Sequence, residues 1–214
     1  MRQRDSGPSL QGRSPDQQRV TSRAAFLRRA GILTATLGAG GAAAGLLGES
    51  RSAASIGHDV EILNYVLRLE SLQAAFYSQA AREGALSGVL HQLARVIARQ
   101  ERDHVTFLRR RLGDLAPPER TYDFGEATAD DRIFADTARR LEEAAVAAYI
   151  GEGPNLGRSL MVPFAQMCSV EARHAAWIAD VLHMDPAPRP ADQAKSPAEI
   201  LAFIRETGFE TTSS

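Results

Sequence analysis

The chain has 214 residues, 44% hydrophobic and 6% aromatic, with 25 basic against 26 acidic side chains and one cysteine, Cys168. That length and apolar share suit one folded domain with extensions. The balanced charge gives no global pull toward nucleic acid, one cysteine excludes an internal disulfide framework, and without alternating Val/Ile/Thr/Tyr runs a sheet is not expected. The expectation is an all-α protein.

Residues 1–54 read as an arm and an export leader. Pro, Ser, Gln and Arg without apolar periodicity fill the first twenty or so positions, the composition of a disordered segment. Then come Ser22-Arg-Ala-Ala-Phe-Leu-Arg-Arg29, a weakly hydrophobic Gly/Ala stretch over 30–47 and the small residues Ser52-Ala-Ala54. Basic region, apolar region and small-residue segment in that order make a signal peptide. It resembles a twin-arginine signal, with Ala24 where that pattern has its second arginine. The expected location is outside the cytoplasm: periplasm, cell envelope or extracellular space. Membrane attachment is expected only through an uncleaved leader.

Residues 55–185 carry four helical patterns. The first runs from Asp59 to Arg82, with Ile62, Tyr65, Val66, Leu69, Leu72, Phe76 and Ala80 at helical spacing and Glu70 among them; a carboxylate there needs a partner. The second, N-capped by Ser87, reaches Leu112, and Arg109-Arg110-Arg111 at its end reads as a solvated run favoured by the helix dipole. Gly113 to Thr128, with Pro117-Pro118, reads as a long crossover. The third helix starts near Asp130-Asp131 and closes at Gly151, and the fourth runs from Leu156 to His183. Residues 186–214 form a Pro-rich tail with one amphipathic segment, Pro197 to Glu206, able to pack on the bundle or on another subunit of a homo-oligomer.

The two halves share a grammar. Glu70 precedes Tyr77 by seven residues and Glu101-Arg-Asp-His104 by 31; Glu142 precedes Tyr149 by seven and Glu171-Ala-Arg-His174 by 29. A Glu and a His three apart project from one helix face, a turn apart, and can grip one ion. With 14 glutamates and 5 histidines, composition predicts about a third of one such match; the chain has two. The repeat selects Glu142 as the inward carboxylate and leaves Glu143 on the surface. One Glu from each of two helices and Glu-x-x-His from each of the others is the ligand inventory of di-iron and di-manganese carboxylate bundles. Four carboxylates and two imidazoles suit two divalent irons, or alternatively manganese, with positions open to oxygen or peroxide.

The other polar residues have plainer readings. Tyr77 and Tyr149 are read as aromatic core, with bonding to groups behind the ligands as a second role. Trp177 and Cys168 are read as packing, and His58, His91 and His183 as surface or core histidines.

Leu69-Glu-Ser-Leu-Gln-Ala-Ala-Phe-Tyr77, Gln100-Glu-Arg-Asp-His104, Leu141-Glu-Glu-Ala-Ala-Val-Ala-Ala-Tyr149 and Val170-Glu-Ala-Arg-His174 resemble the ferritin-like superfamily, in particular its exported bacterial branch related to plant desiccation-related proteins. The resemblance implies an antiparallel four-helix bundle with a long crossover between helices two and three. It also implies a dinuclear centre on Glu70, Glu101, His104, Glu142, Glu171 and His174, with Glu101 and Glu171 bridging. Related sequences often have a second Glu where this one has Gln73. The implied activity is iron oxidation or reduction of peroxide or oxygen; the alternative is a non-enzymatic, stress-protective bundle whose metal is absent or purely structural.

Overall fold

The computed structural model describes residues 53–211. The leader expected over 1–54 therefore lies almost wholly outside the described residues. Helix α1 spans Ala53–Glu83, α2 Gly88–Leu112, α3 Asp131–Glu152, α4 Arg158–Val181 and α5 Pro197–Thr207, and two short strands, β1 (Thr121–Tyr122) and β2 (Glu210–Thr211), pair antiparallel. The first four helices form the expected all-α bundle. Among the described residues no helix is long and apolar enough to cross a membrane.

Two contacts made by the helix ends set the directions. At one end the Ser87 N–H donates to Asp131 Oδ1 at 3.0 Å, placing the start of α3 beside the start of α2. At the other, the Gly157 N–H before α4 donates to Asp59 Oδ1 near the start of α1, also at 3.0 Å. The chain thus runs up, down, down and up, and residues 113–130 travel the length of the bundle between α2 and α3. Ser87 stands at the N-cap position of α2, but its side chain caps nothing within that helix and bonds Asp131 instead. Helix α3 starts where expected, and Asp130 caps it, its carboxylate accepting from the Ile133 N–H at 2.8 Å. Helix α4 stops at Val181, before Pro186: His183 adopts φ 57° and Met184 N–H reaches back to the Ala179 carbonyl at 2.9 Å, a Schellman closure.

The tail packs on the bundle. Ile200 and Ile204 of α5 are fully buried in the same core as Phe76, Phe134 and Leu141, burial that contributes roughly 1.5–3 kcal/mol for each side chain. Ser196 and Glu199 form a capping box at the start of α5. Arg68 of α1 forks onto Glu210, its Nε–H donating to Oε1 at 2.8 Å, and so ties β2 to the bundle. Arg109 departs from the solvated reading of the arginine run: it turns under the crossover and donates to the Pro117 carbonyl at 3.1 Å.

Buried apolar side chains form two clusters. One gathers Leu69, Leu72, Phe76, Tyr77, Phe134 and Leu141 with α5. The other gathers Ile62, Leu63, Val66, Leu108, Tyr149 and Phe164. The polar site lies where the two meet.

Candidate metal centre

Helical spacing puts Glu70 on the inward face of α1, and the same rule puts Glu101 with His104 on α2, Glu142 on α3 and Glu171 with His174 on α4. All four glutamates are fully buried, His104 is 8% exposed and His174 3%. Glu143 points outward and pairs with Arg139 at 2.9 Å. All six residues singled out by the repeat therefore meet. They fall into two groups of four, Glu70/Glu101/His104/Glu171 and Glu101/Glu142/Glu171/His174, and in each the ligand atoms lie within 4.8 Å of one another. Glu101 and Glu171 belong to both groups.

The shared carboxylates divide their oxygens between the two imidazoles. Glu101 turns Oε2 toward His104 Nδ1 at 3.6 Å and Oε1 toward His174 Nδ1 at 3.1 Å. Glu171 turns Oε1 toward His104 Nδ1 at 2.9 Å and Oε2 toward His174 Nδ1 at 3.7 Å. None of these four oxygens accepts a hydrogen bond of good geometry from a described residue. Buried carboxylate oxygens without donors are costly.

The outer carboxylates are held differently. Glu70 Oε2 lies 3.1 Å from His104 Nδ1, and its Oε1 accepts from the Tyr149 hydroxyl at 2.5 Å. Glu142 Oε2 lies 3.2 Å from His174 Nδ1, and its Oε1 accepts from the Tyr77 hydroxyl at 2.5 Å. Each tyrosine serves the glutamate of the opposite half and sits in the opposite apolar cluster. Both readings of the tyrosines hold: they are core aromatics by their rings and fix the outer carboxylates by their hydroxyls. The sequence reading missed Gln100, whose Oε1 lies 2.6 Å from His174 Nε2. With Nε2–H donating there, Nδ1 is the nitrogen that faces the carboxylates, 3.1 Å from Glu101 and 3.2 Å from Glu142, and the one left to bind an ion once its proton has gone. No motif marks Gln100; only its place before Glu101 hints at it.

Titration follows from crowding. Burial first, then the neighbouring Glu171, pushes the Glu101 carboxyl well above the usual range, and burial with the charge of Glu70 raises Glu171 to about 7. For Glu70 burial also acts upward, but the charge and hydrogen bond of His104 outweigh it and hold the group below its usual value. Burial opposes a charge on His174, yet the carboxylates around it raise it to about 12, and His104 is raised as well. Burial lifts both tyrosines well above their usual value, so at neutral pH they donate.

Carboxylates and imidazoles are donors that suit metal cations, and Glu101 and Glu171, whose oxygens have no hydroxyl or amide donor, are the residues common to both groups. The buried cluster could hold metal ions. Cys168 stays out of it, half-buried beside Met167 and Phe164, and Trp177 packs on the larger apolar cluster.

Residues 58–184 match the family described as ferritin-like domain. The chain belongs to the ferritin-like family. The matched span is more than half the chain and contains all six clustered residues. No curated protein matches it in sequence.

Proposed function

We propose that this ferritin-like chain is a dinuclear carboxylate protein that holds two irons, or alternatively manganese, and works in iron oxidation or in the reduction of peroxide or oxygen outside the cytoplasm. The observation that carries the proposal is the pair of fully buried carboxylates, Glu101 and Glu171, whose oxygens have no hydroxyl or amide donor and face only the two imidazoles. A polar network that only fixed helix register would satisfy those oxygens with hydroxyls or amides, as it does for Glu70 and Glu142.

In this reading Glu101 and Glu171, which belong to both groups, would serve both ions, Glu70 with His104 would hold one, and Glu142 with His174 the other. Two ferrous ions bound there supply two electrons, the number needed to take hydrogen peroxide and two protons to water. The chain does the rest. Tyr149 and Tyr77 each occupy one oxygen of an outer carboxylate and limit how it turns. Gln100 holds the His174 proton on Nε2. The apolar clusters on either side keep bulk water from the carboxylates, and protons held on Glu101 and Glu171 must leave when cations enter.

The test is an anaerobic Fe(II) titration of the purified chain, followed by exposure to peroxide or oxygen while ferric absorbance is recorded, beside Glu101→Ala/Glu171→Ala. Saturation near two irons per chain, with oxidation faster than in the double variant, is expected. No stoichiometric binding would return the protein to the protective-bundle reading. The location outside the cytoplasm rests on the leader pattern and is tested by fractionating cells that express the full chain.

A further inference from the structure

The two halves of the centre are not equivalent, and the differences fall on two amides. Gln73 follows Glu70 by three residues; the corresponding place after Glu142 is Ala145. Gln100 precedes Glu101; the corresponding place before Glu171 is Val170. Gln100 is used, since it holds His174 Nε2. Gln73 is fully buried, and neither Nε2 nor Oε1 has a hydrogen-bond partner among the described residues. A buried primary amide without partners is costly, and an alanine serves the other half without that cost.

Its position says where it acts. On α1, Gln73 lies between Glu70 and Tyr77, and both of those side chains enter the cluster. At about 100° per residue it stands some 60° around the helix from Glu70 and about 4.5 Å along the axis. Side chains lean toward a helix's N-terminus, here from Gln73 toward Glu70. The same side of the centre is the more open one. The His104 side chain keeps 10% exposure against 4% for His174, and no protein group bonds its Nε2 among the described residues.

We infer that the Gln73 amide receives a small oxygen ligand, dioxygen or its two-electron reduced form peroxide, on the Glu70/His104 side of the centre, an inference that rests on the dinuclear reading above. The amide N–H donates to the ligand, and the half carrying Ala145 and the Gln100-held His174 remains the closed half. Glutamine does here what a carboxylate could not do without adding a fifth negative charge to the cluster.

The test uses azide, a linear anion that stands in for peroxide, titrated into the iron-loaded, oxidised chain and followed by its charge-transfer absorbance. Gln73→Leu and Gln73→Met are each compared with the parent chain. The expected result is two irons in parent and Gln73 variants alike, with azide bound roughly 10- to 100-fold more weakly in the Gln73 variants, the loss of one hydrogen bond to a charged partner. Metal-free Gln73 variants should melt no lower than the parent. Equal azide affinity in parent and Gln73 variants, both holding two irons, overturns the inference while leaving the dinuclear centre in place. So does loss of an iron from both Gln73 variants, or a marked drop in their metal-free melting temperature. A parent chain that binds no iron removes the dinuclear reading and this inference with it.

Discussion

Replacing Glu101 and Glu171 together by glutamine should invert the stability order of variant and parent when metal is added. Each imidazole already has a carboxylate of its own half within hydrogen-bond reach, His104 with Glu70 and His174 with Glu142. Glu101 and Glu171 are the second carboxylate on each imidazole, at 3.1 Å from His174 and 2.9 Å from His104, fully buried and without a hydroxyl or amide donor. Exchanging buried charge for neutral groups of the same shape raises the stability of the metal-free chain by about 1–4 kcal/mol, or roughly 3–12 °C in Tm for a domain of this size. Loading acts the other way: ligand at a hundredfold excess over Kd stabilises the parent by about 2.7 kcal/mol per site, and the variant lacks both shared ligands. Melting curves followed by circular dichroism at pH 8, with chelator and then anaerobically with Fe(II) or Mn(II), should show the variant higher in chelator and the parent higher in metal. A variant that melts well below the parent in chelator, or gains as much from metal as the parent does, refutes the argument.

Three further outcomes follow from the same geometry. The Glu171 carboxyl is raised to about 7 and Glu101 is raised with it. Carboxyls raised by folding bind protons more tightly in the native state, so metal-free stability should fall as pH rises from the unfolded value near 4.5 through about 7. Cations must displace those protons, so loading at pH 7 should release protons, measured by calorimetry in two buffers of different ionisation enthalpy, and apparent affinity should climb with pH. Tyr77→Phe and Tyr149→Phe each leave one oxygen of a buried carboxylate without its donor; each should cost the metal-free chain about 1–3 kcal/mol in chemical denaturation and weaken iron binding roughly tenfold or more. A Cβ on Gly151 would lie 2.3 Å from the Lys195 carbonyl oxygen, where the Lys195 N–H also bonds the Ala147 carbonyl at 3.1 Å. Gly151→Ala should therefore push the tail off α3 and expose residues 186–196 to limited proteolysis.

The buried cluster was legible because a Glu and a His that meet at one site from one helix must stand a turn apart, and Glu101/His104 and Glu171/His174 carry that spacing on their face. The partners of the Tyr77 and Tyr149 hydroxyls were not, although a bonding role was open to both. Within one helix, seven residues is two turns, which takes a tyrosine away from its own glutamate and makes a core aromatic the natural reading. Across α1 and α3, which run in opposite directions, the same seven residues become a reach: residue 77 stands level with 142, and 70 with 149. A pair of Glu-x6-Tyr segments on antiparallel helices thus encodes two crossed hydrogen bonds, and either segment alone encodes none. The tail shows the same limit, since the periodicity of Ile200 and Ile204 marks a buried face without naming what buries it. Gln100 lay beyond reach for a different reason: a single amide holding an imidazole across the bundle has no spacing of its own. What one sequence displays is the set of ligands that must share a helix; the groups that aim those ligands come from other helices, and only the register between helices reveals them.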